Sequence, residues 1–158
     1  MNENINIENE IILVLEREQS ITLATCSKNK VTARTMSHVN DGLIIMFQTG
    51  GDSEKASQIR ENPNIAFTVG NMQIEAVAEI CGHLKDDKCF IEKYKVKFPA
   101  YYDQYSNIED EILIKAYPTK ITLYKYIDGK PQRVVYIPVM NQTGFGERVK
   151  TARPWTDW

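Results

Sequence analysis

Histidine and cysteine are scarce in this chain of 158 residues. There are two histidines, His38 and His83, and three cysteines, Cys26, Cys81 and Cys89. So few imidazoles make a zinc site unexpected, and no C-x-x-C spacing offers thiolate ligands in their place. An odd number of scattered cysteines reads as reduced thiols of a cytoplasmic protein, not as a disulfide framework. Excess positive charge is also lacking: 19 Lys and Arg are outnumbered by 21 Asp and Glu, for a net charge of −2. Without a basic stripe and interleaved aromatics, nucleic acid is not an expected partner. No apolar run approaches the ~20 residues that cross a bilayer, so no membrane partner is expected either. The first twenty residues are acidic and polar, which does not fit a basic n-region followed by the apolar core of a secretory signal. Neither a Ser-His-Asp nor a paired-carboxylate signature is visible. What remains is an ordinary globular composition at a length suited to a single domain, residues 1–158. Such a chain buries about 68–70% of its unfolded surface and needs no covalent or metal staple.

The informative stretch runs from Arg34 to Lys55. Two strand-like runs, Arg34-Thr35-Met36-Ser37-His38-Val39 and Leu43-Ile44-Ile45-Met46-Phe47-Gln48-Thr49, meet at Asn40-Asp41-Gly42. Gly50-Gly51 follows, and then Asp52-Ser53-Glu54-Lys55. Asn-Asp-Gly between apolar runs is a hairpin signal. Asp52 or Ser53 is a helix cap, so Lys55 falls in a first helical turn. A helix start with free N–H groups suits a phosphate, and Arg34 and Lys55 are placed to converge on the same anion.

The remaining elements follow from periodicity. Ile11, Ile12, Val14 and Leu15 are spaced as one face of an amphipathic helix over Glu8–Glu18. Ile21–Cys26, Val31–Val39, Leu43–Thr49, Ile65–Val69 and Gln73–His83 read as strands, the last with a bulge at Gly82. The strand Val31–Val39 places Thr32, Arg34, Met36 and His38 on one face. A helix runs from the cap to Glu61 and stops at Asn62-Pro63. Further helix is expected over Asp86–Lys97 and Tyr101–Tyr105. A strand region over Ile112–Tyr126, broken at Pro118, returns through Asp128-Gly129-Lys130 to Arg133–Ile137, and the last twenty residues read as loop. Six or seven mostly antiparallel strands with three or four helices make a closed or nearly closed barrel the natural architecture.

Several segments together resemble the pyridoxamine 5′-phosphate oxidase-like FMN-binding split-barrel family, in its general-stress and uncharacterised branch. They are Ile21-Thr22-Leu23-Ala24-Thr25, Arg34-Thr35-Met36-Ser37, Phe47-Gln48-Thr49 with Ser53-x-Lys55, and Ile59-Arg60-x-Asn62-Pro63-Asn64-Ile65-Ala66-Phe67. Gln73-Ile74-Glu75-Ala76-Val77-Ala78-Glu79 continues the likeness, which covers about residues 8–127.

The resemblance implies a mainly β fold with flanking helices, a six-stranded antiparallel split β-barrel. It implies a homodimer with FMN at the interface. Carried over by position, Arg34, Lys55 and Ser53 would hold the FMN phosphate, and Thr35, Met36 and Ser37 would line the flavin. Gln48 and Thr49 would sit beside the ring or ribityl chain, and Gln73 matches a flavin-contacting position. The implied activity is hydride or electron transfer between a reduced nicotinamide or other donor and a small-molecule substrate. The alternatives are a non-catalytic flavin store or redox sensor, or a barrel that takes a deazaflavin or haem. The C-terminal Arg153-Pro154-Trp155-Thr156-Asp157-Trp158 departs from the Arg-Leu-x-Pro ending of the true oxidases, which argues against vitamin B6 oxidation.

Four further features carry expectations. His38 reads as a partly exposed strand histidine, with a flavin contact as the lesser reading. Cys26 reads as a packed small residue. Tyr94, Tyr101, Tyr102 and Tyr105 read as core or interface aromatics that could instead cap a site. Trp155 and Trp158 either dock on a partner subunit or close over a cofactor.

Overall fold

The computed structural model describes residues 3–105, 108–141 and 144–154. Helix α1 (Glu3–Arg17) leads into the hairpin β1 (Ser20–Ser27) and β2 (Lys30–Ser37). The two-residue turn puts Lys28 at φ 51° and Asn29 at φ 63°, the left-handed geometry that matches hairpin twist. A short β3 (Val39–Asp41) turns at Gly42 into β4 (Ile44–Gly50). Gly42 sits at φ 57°, and the Asn40 side chain donates to its carbonyl at 2.9 Å. Next come α2 (Glu54–Glu61), β5 (Asn64–Val69), β6 (Met72–His83), α3 (Lys88–Lys97) and α4 (Pro99–Tyr105). The chain closes with β7 (Glu111–Ile127), β8 (Lys130–Asn141) and β9 (Gly144–Pro154).

The strands form one antiparallel sheet of nine, ordered β2-β1-β5-β6-β7-β4-β3, with β8 on β7 and β9 on β8. This is the expected mainly β class with flanking helices. The strand count exceeds the seven strand runs read from the sequence, and the six of the resembled barrel, for two reasons. The run Val31–Val39 breaks at His38 into β2 and β3, and residues 144–154, expected as loop, pair along β8. Pro118 does not break β7. The register slips by one residue there, with Lys120 facing Glu75 and Pro118 facing Ala76. The ladder thus absorbs the missing N–H as a bulge. A second slip lies between Ile80 and His83, around Gly82 at φ 78°, as the glycine there suggested. Trp155 and Trp158 lie outside the described residues.

Two apolar clusters result. The barrel interior gathers Ile21, Leu23, Ile45, Phe47, Phe67, Ile74, Ile114, Ile121 and Leu123, covered at one end by Ile11, Val14 and Leu15 of α1. Strand alternation turns Met46 to the other side of β4, where Val39, Leu84, Phe90, Tyr94, Phe98 and Leu113 enclose it. The uninterrupted apolar run of β4 is therefore buried on both faces, the usual reason for such a run. Each fully buried Leu, Ile or Phe contributes roughly 1.5–3 kcal/mol relative to exposure. Among the described residues, no helix is long and apolar enough to cross a membrane.

Candidate functional site

β2 ends one side of the sheet and β3-β4 the other, yet residues of β2 and β4 line the same cavity. The sheet curls until these two flanks face each other, and the cavity of about 460 Å³ lies on the seam. That volume falls within the ~300–1,000 Å³ of small-molecule and cofactor sites. Thr35, Met36 and Ser37 bring the end of β2 to it. Gln48 and Thr49 bring β4, and Lys55 brings the first turn of α2. Phe90, Tyr94 and Tyr101 of α3 and α4 wall one side, and Glu111 opens β7 at the rim. Phe90 and Tyr94 stack with ring centres 5.3 Å apart.

Arg34 immediately precedes the β2 part of the lining and is not itself on it. Its guanidinium donates to Thr25 Oγ1 at 2.8 Å and to Thr32 Oγ1. Both hydroxyls in turn donate to Gln58 Oε1 of α2. Gln58 Nε2 reaches back to the Lys30 carbonyl at 3.3 Å. One buried amide therefore ties β1, β2 and α2 together under the arginine. Arg34 and Lys55 are close enough to repel. Burial, and then the Arg34 charge, push the Lys55 ammonium below its usual pKa, while Glu111 opposes that shift. Burial likewise lowers Arg34, with Glu54 opposing. Two cations held this way suit an anion shared between them.

Ser53 caps α2, accepting from the Ala56 N–H at 3.2 Å, and its hydroxyl lies 3.1 Å from Thr49 Oγ1. Asp52 and Ser53 were both candidates for the cap; Ser53 fills it. Gln73 is not brought to this cavity. It lies on β6 with Thr68 and Thr122 as cross-strand neighbours.

His38 corrects the expectation of a partly exposed histidine. It is 0% exposed and lines the cavity. Its Nε2 lies 2.9 Å from the carbonyl of Leu15, one of the unpaired acceptors at the C-terminal end of α1. Lys97 Nζ donates to the same carbonyl at 3.1 Å, where a cation also meets the negative end of the helix dipole. Burial first, and then the Lys97 charge, lower the His38 pKa to about 4. Two buried polar atoms of cavity-lining residues have no hydrogen-bond partner among the described residues: His38 Nδ1 and Gln48 Oε1.

Sequence reading missed Gln58 and Glu111. Glu111 lies opposite Gly50 in the β4–β7 ladder. Burial raises its carboxyl pKa, against the opposing pull of Lys55. The run Glu109-Asp110-Glu111 looks like a solvated acidic loop, and only the register turns Glu111 inward. Among the aromatics, Tyr94 and Tyr101 do reach the cavity. No cluster of His, Cys, Asp and Glu suited to a metal ion occurs among the described residues.

A split antiparallel barrel with a cofactor-sized cavity on its seam defines the class. The sequence family described as pyridoxamine 5′-phosphate oxidase matches residues 7–125, and the chain belongs to that family. General stress protein 26 of Bacillus subtilis (strain 168) is 34% identical over 65 residues, 41% of this chain. The chain spans about half of that relative's length, 46%. The solved General Stress Protein 26 of Bacillus anthracis str. Sterne is similar with a TM-score of 0.63 at 20% identity, covering 81% of this chain and 97% of that one. HutZ, the haem storage protein of Vibrio cholerae, is similar with a TM-score of 0.60 at 16% identity, covering 70% of this chain and 90% of that one. At those identities the two structures bear on the fold alone.

Proposed function

We propose that the chain is a cytoplasmic FMN-binding oxidoreductase that works as a homodimer. The observation that carries this reading is the polarity of the seam cavity. Lys55 lines one end at the start of α2, with Arg34 near enough for its charge to lower the Lys55 pKa, while Gln48 on the same lining holds a buried Oε1 that is unpartnered among the described residues. A monophosphate ester fits the cationic end, where N–H groups at the helix start add to the two charges. Gln48 Oε1 fits a ligand that also carries N–H or O–H groups, since a buried acceptor left bare costs about 1–3 kcal/mol. Phe90, Tyr94 and Tyr101 offer aromatic surface to a planar ring.

In this reading Arg34, Lys55 and Ser53 hold the phosphate, Gln58 keeps Arg34 aimed, and Thr35, Met36 and Ser37 line the flavin with Gln48 and Thr49. Bound FMN supplies the hydride and electron transfer, and the protein supplies binding, orientation and exclusion of water. The aromatic wall from α3 and α4 shields the ring side of the cavity, and no general acid is required of the chain. Gln73 lies away from this cavity, so a flavin contact from it would be to the site of a second subunit. Val31 on the edge strand β2 is 69% exposed and Val77 on β6 is 40% exposed, apolar strand surface of the kind a second copy covers.

A second reading has one observation in its favour. A histidine among the cavity-lining residues, His38, is also the residue type that most often holds haem iron. The absorption spectrum of the purified protein separates the two, since flavin bands support the first reading and a Soret band the second. Titration with FMN and FAD tests the phosphate assignment. FMN should bind more tightly, and FAD binding as tightly or more so would refute the monophosphate site.

A further inference from the structure

Another cavity lies apart from the seam, along one flank of α1. It measures about 550 Å³ and is lined by Asn9, Glu10, Leu13, Val14 and Arg17 of the helix and by Asn71 of the β5–β6 turn. Leu13 is 63% exposed on it, although a leucine on an amphipathic helix ordinarily turns to the core. The helix cannot close the gap by moving toward the turn. A Cβ at Gly70 would already meet Val14 Cγ1 at 3.1 Å, so the two are in close contact there. Two bonds place the cavity beside the end of β7. Glu10 pairs with Lys125 at 2.9 Å, and the Asn71 amide donates to the Tyr124 carbonyl at 3.0 Å. Ile127, on the Lys125 face of that strand, is 39% exposed.

We infer that residues 155–158 fold back across this end of the sheet and seat the indole of Trp158 in the cavity, against Leu13. The route is set by register. Lys125 pairs with Gln132, and Gln132 pairs with Pro154. The chain therefore enters residue 155 two strand spacings from Lys125, about 10 Å. The segment Trp155-Thr156-Asp157-Trp158 reaches up to about 13 Å when extended, enough to cross β8 and β7 to the helix. Alternation counted on from that register puts position 158 on the face of Lys125, and position 155 on the opposite face. The chemistry of the lining suits an indole, a large apolar ring with a single N–H donor. Leu13 and Val14 offer apolar contact, and the carboxamides of Asn9 and Asn71 are of the type that accepts such a donor. A ring tethered this close meets the cavity at a high effective concentration, which favours it over a separate partner. The cavity shares no lining residue with the seam, so the inference stands apart from the FMN reading.

Trp155 and Trp158 are the two tryptophans of the chain, so the full chain carrying Trp155→Phe reports Trp158 alone by its fluorescence. The emission should be blue-shifted from that of free tryptophan, and acrylamide should quench it several-fold less. Both signatures should persist on dilution through the micromolar range. Leu13→Glu, at a position open to solvent, should move the emission toward that of free tryptophan and restore the quenching. Val96→Glu is the control, since Val96 is 85% exposed on α3 and should change neither signature. Emission and quenching like those of free tryptophan before any change at Leu13 would overturn the inference. Protection that survives Leu13→Glu, or that Val96→Glu removes equally, would overturn it too, because the ring would then lie somewhere other than on α1. Protection lost on dilution would place the ring on a second copy of the chain and would also overturn it.

Discussion

Burial of His38 beside Lys97 makes the stability of the fold depend on pH in a range where few other groups titrate. A histidine has an ordinary pKa of 6.5, and this one is lowered to about 4. The unfolded chain therefore takes up a proton at a pH where the folded chain refuses it, so the folded state loses stability as pH falls from about 6.5 to about 4. Two and a half pKa steps at 1.36 kcal/mol each give a full loss of roughly 3 kcal/mol, of which about 2 kcal/mol falls between about pH 7 and pH 5. The low-pKa carboxylate Asp87 loses its own contribution at more acid pH, and does so in any variant. The measurement is urea unfolding of the chain and of His38→Asn across that range. The unaltered protein should lose stability toward pH 5 while the variant holds nearly level. Lys97→Met should shrink the dependence by removing the neighbouring charge. Parallel pH profiles for chain and variant would refute the buried, neutral histidine.

Other expectations follow from the cationic end and the edge strands. Arg34→Ala should weaken FMN by about 1.5–3 kcal/mol, the scale of a hydrogen bond to a charged group; in a fluorescence titration, a loss below about threefold would remove Arg34 from the phosphate. Glu111→Gln should tighten FMN by roughly two- to fivefold, because the carboxylate competes with phosphate for Lys55 across a partly exposed distance. The same titration would show unchanged or weaker binding if Glu111 does not face the anion. Light scattering at micromolar concentration should give twice the 18.2 kDa of one chain, and a single-chain mass would refute the dimer.

What the sequence made legible was local. Strand alternation put Arg34 on the face of β2 that carries Thr32, and a hydroxyl before an acidic turn marked the start of α2, with Ser53 as the cap. Asn-Asp-Gly marked the turn into β4, and the continuous apolar run of β4 announced burial on both faces. The residues that were missed depend on partners distant in sequence. Gln58 looks like any polar helix residue until two strand hydroxyls converge on it. Alternation carried one residue too far gave a half-exposed His38, whereas the chain leaves the β1 ladder at Ser37 and drops the ring under the end of α1. β9 carries Glu147, Arg148, Lys150 and Arg153 with two glycines at its start. Neither alternation nor β-branched content marks it, and the ladder offered by β8 supplies its strand character.

The two kinds of residue divide the work of the cavity in a physically consistent way. The charges proposed to hold an anion lie near a strand edge and a helix start, where local sequence encodes them. The group that would discriminate among ligands in the proposed function, Gln48, holds an uncharged Oε1 that is buried and unpartnered among the described residues. Its strength comes from being desolvated before any ligand arrives. An acceptor exposed to water would release one hydrogen bond to form another and gain little, whereas one that is already bare gains nearly the whole bond. The seam between the two sheet flanks provides that condition, with residues of α1 and α3 closing over His38. In the proposed function, affinity belongs to Arg34 and Lys55, and orientation to the uncharged end. A variant at either end should therefore disturb one property and spare the other.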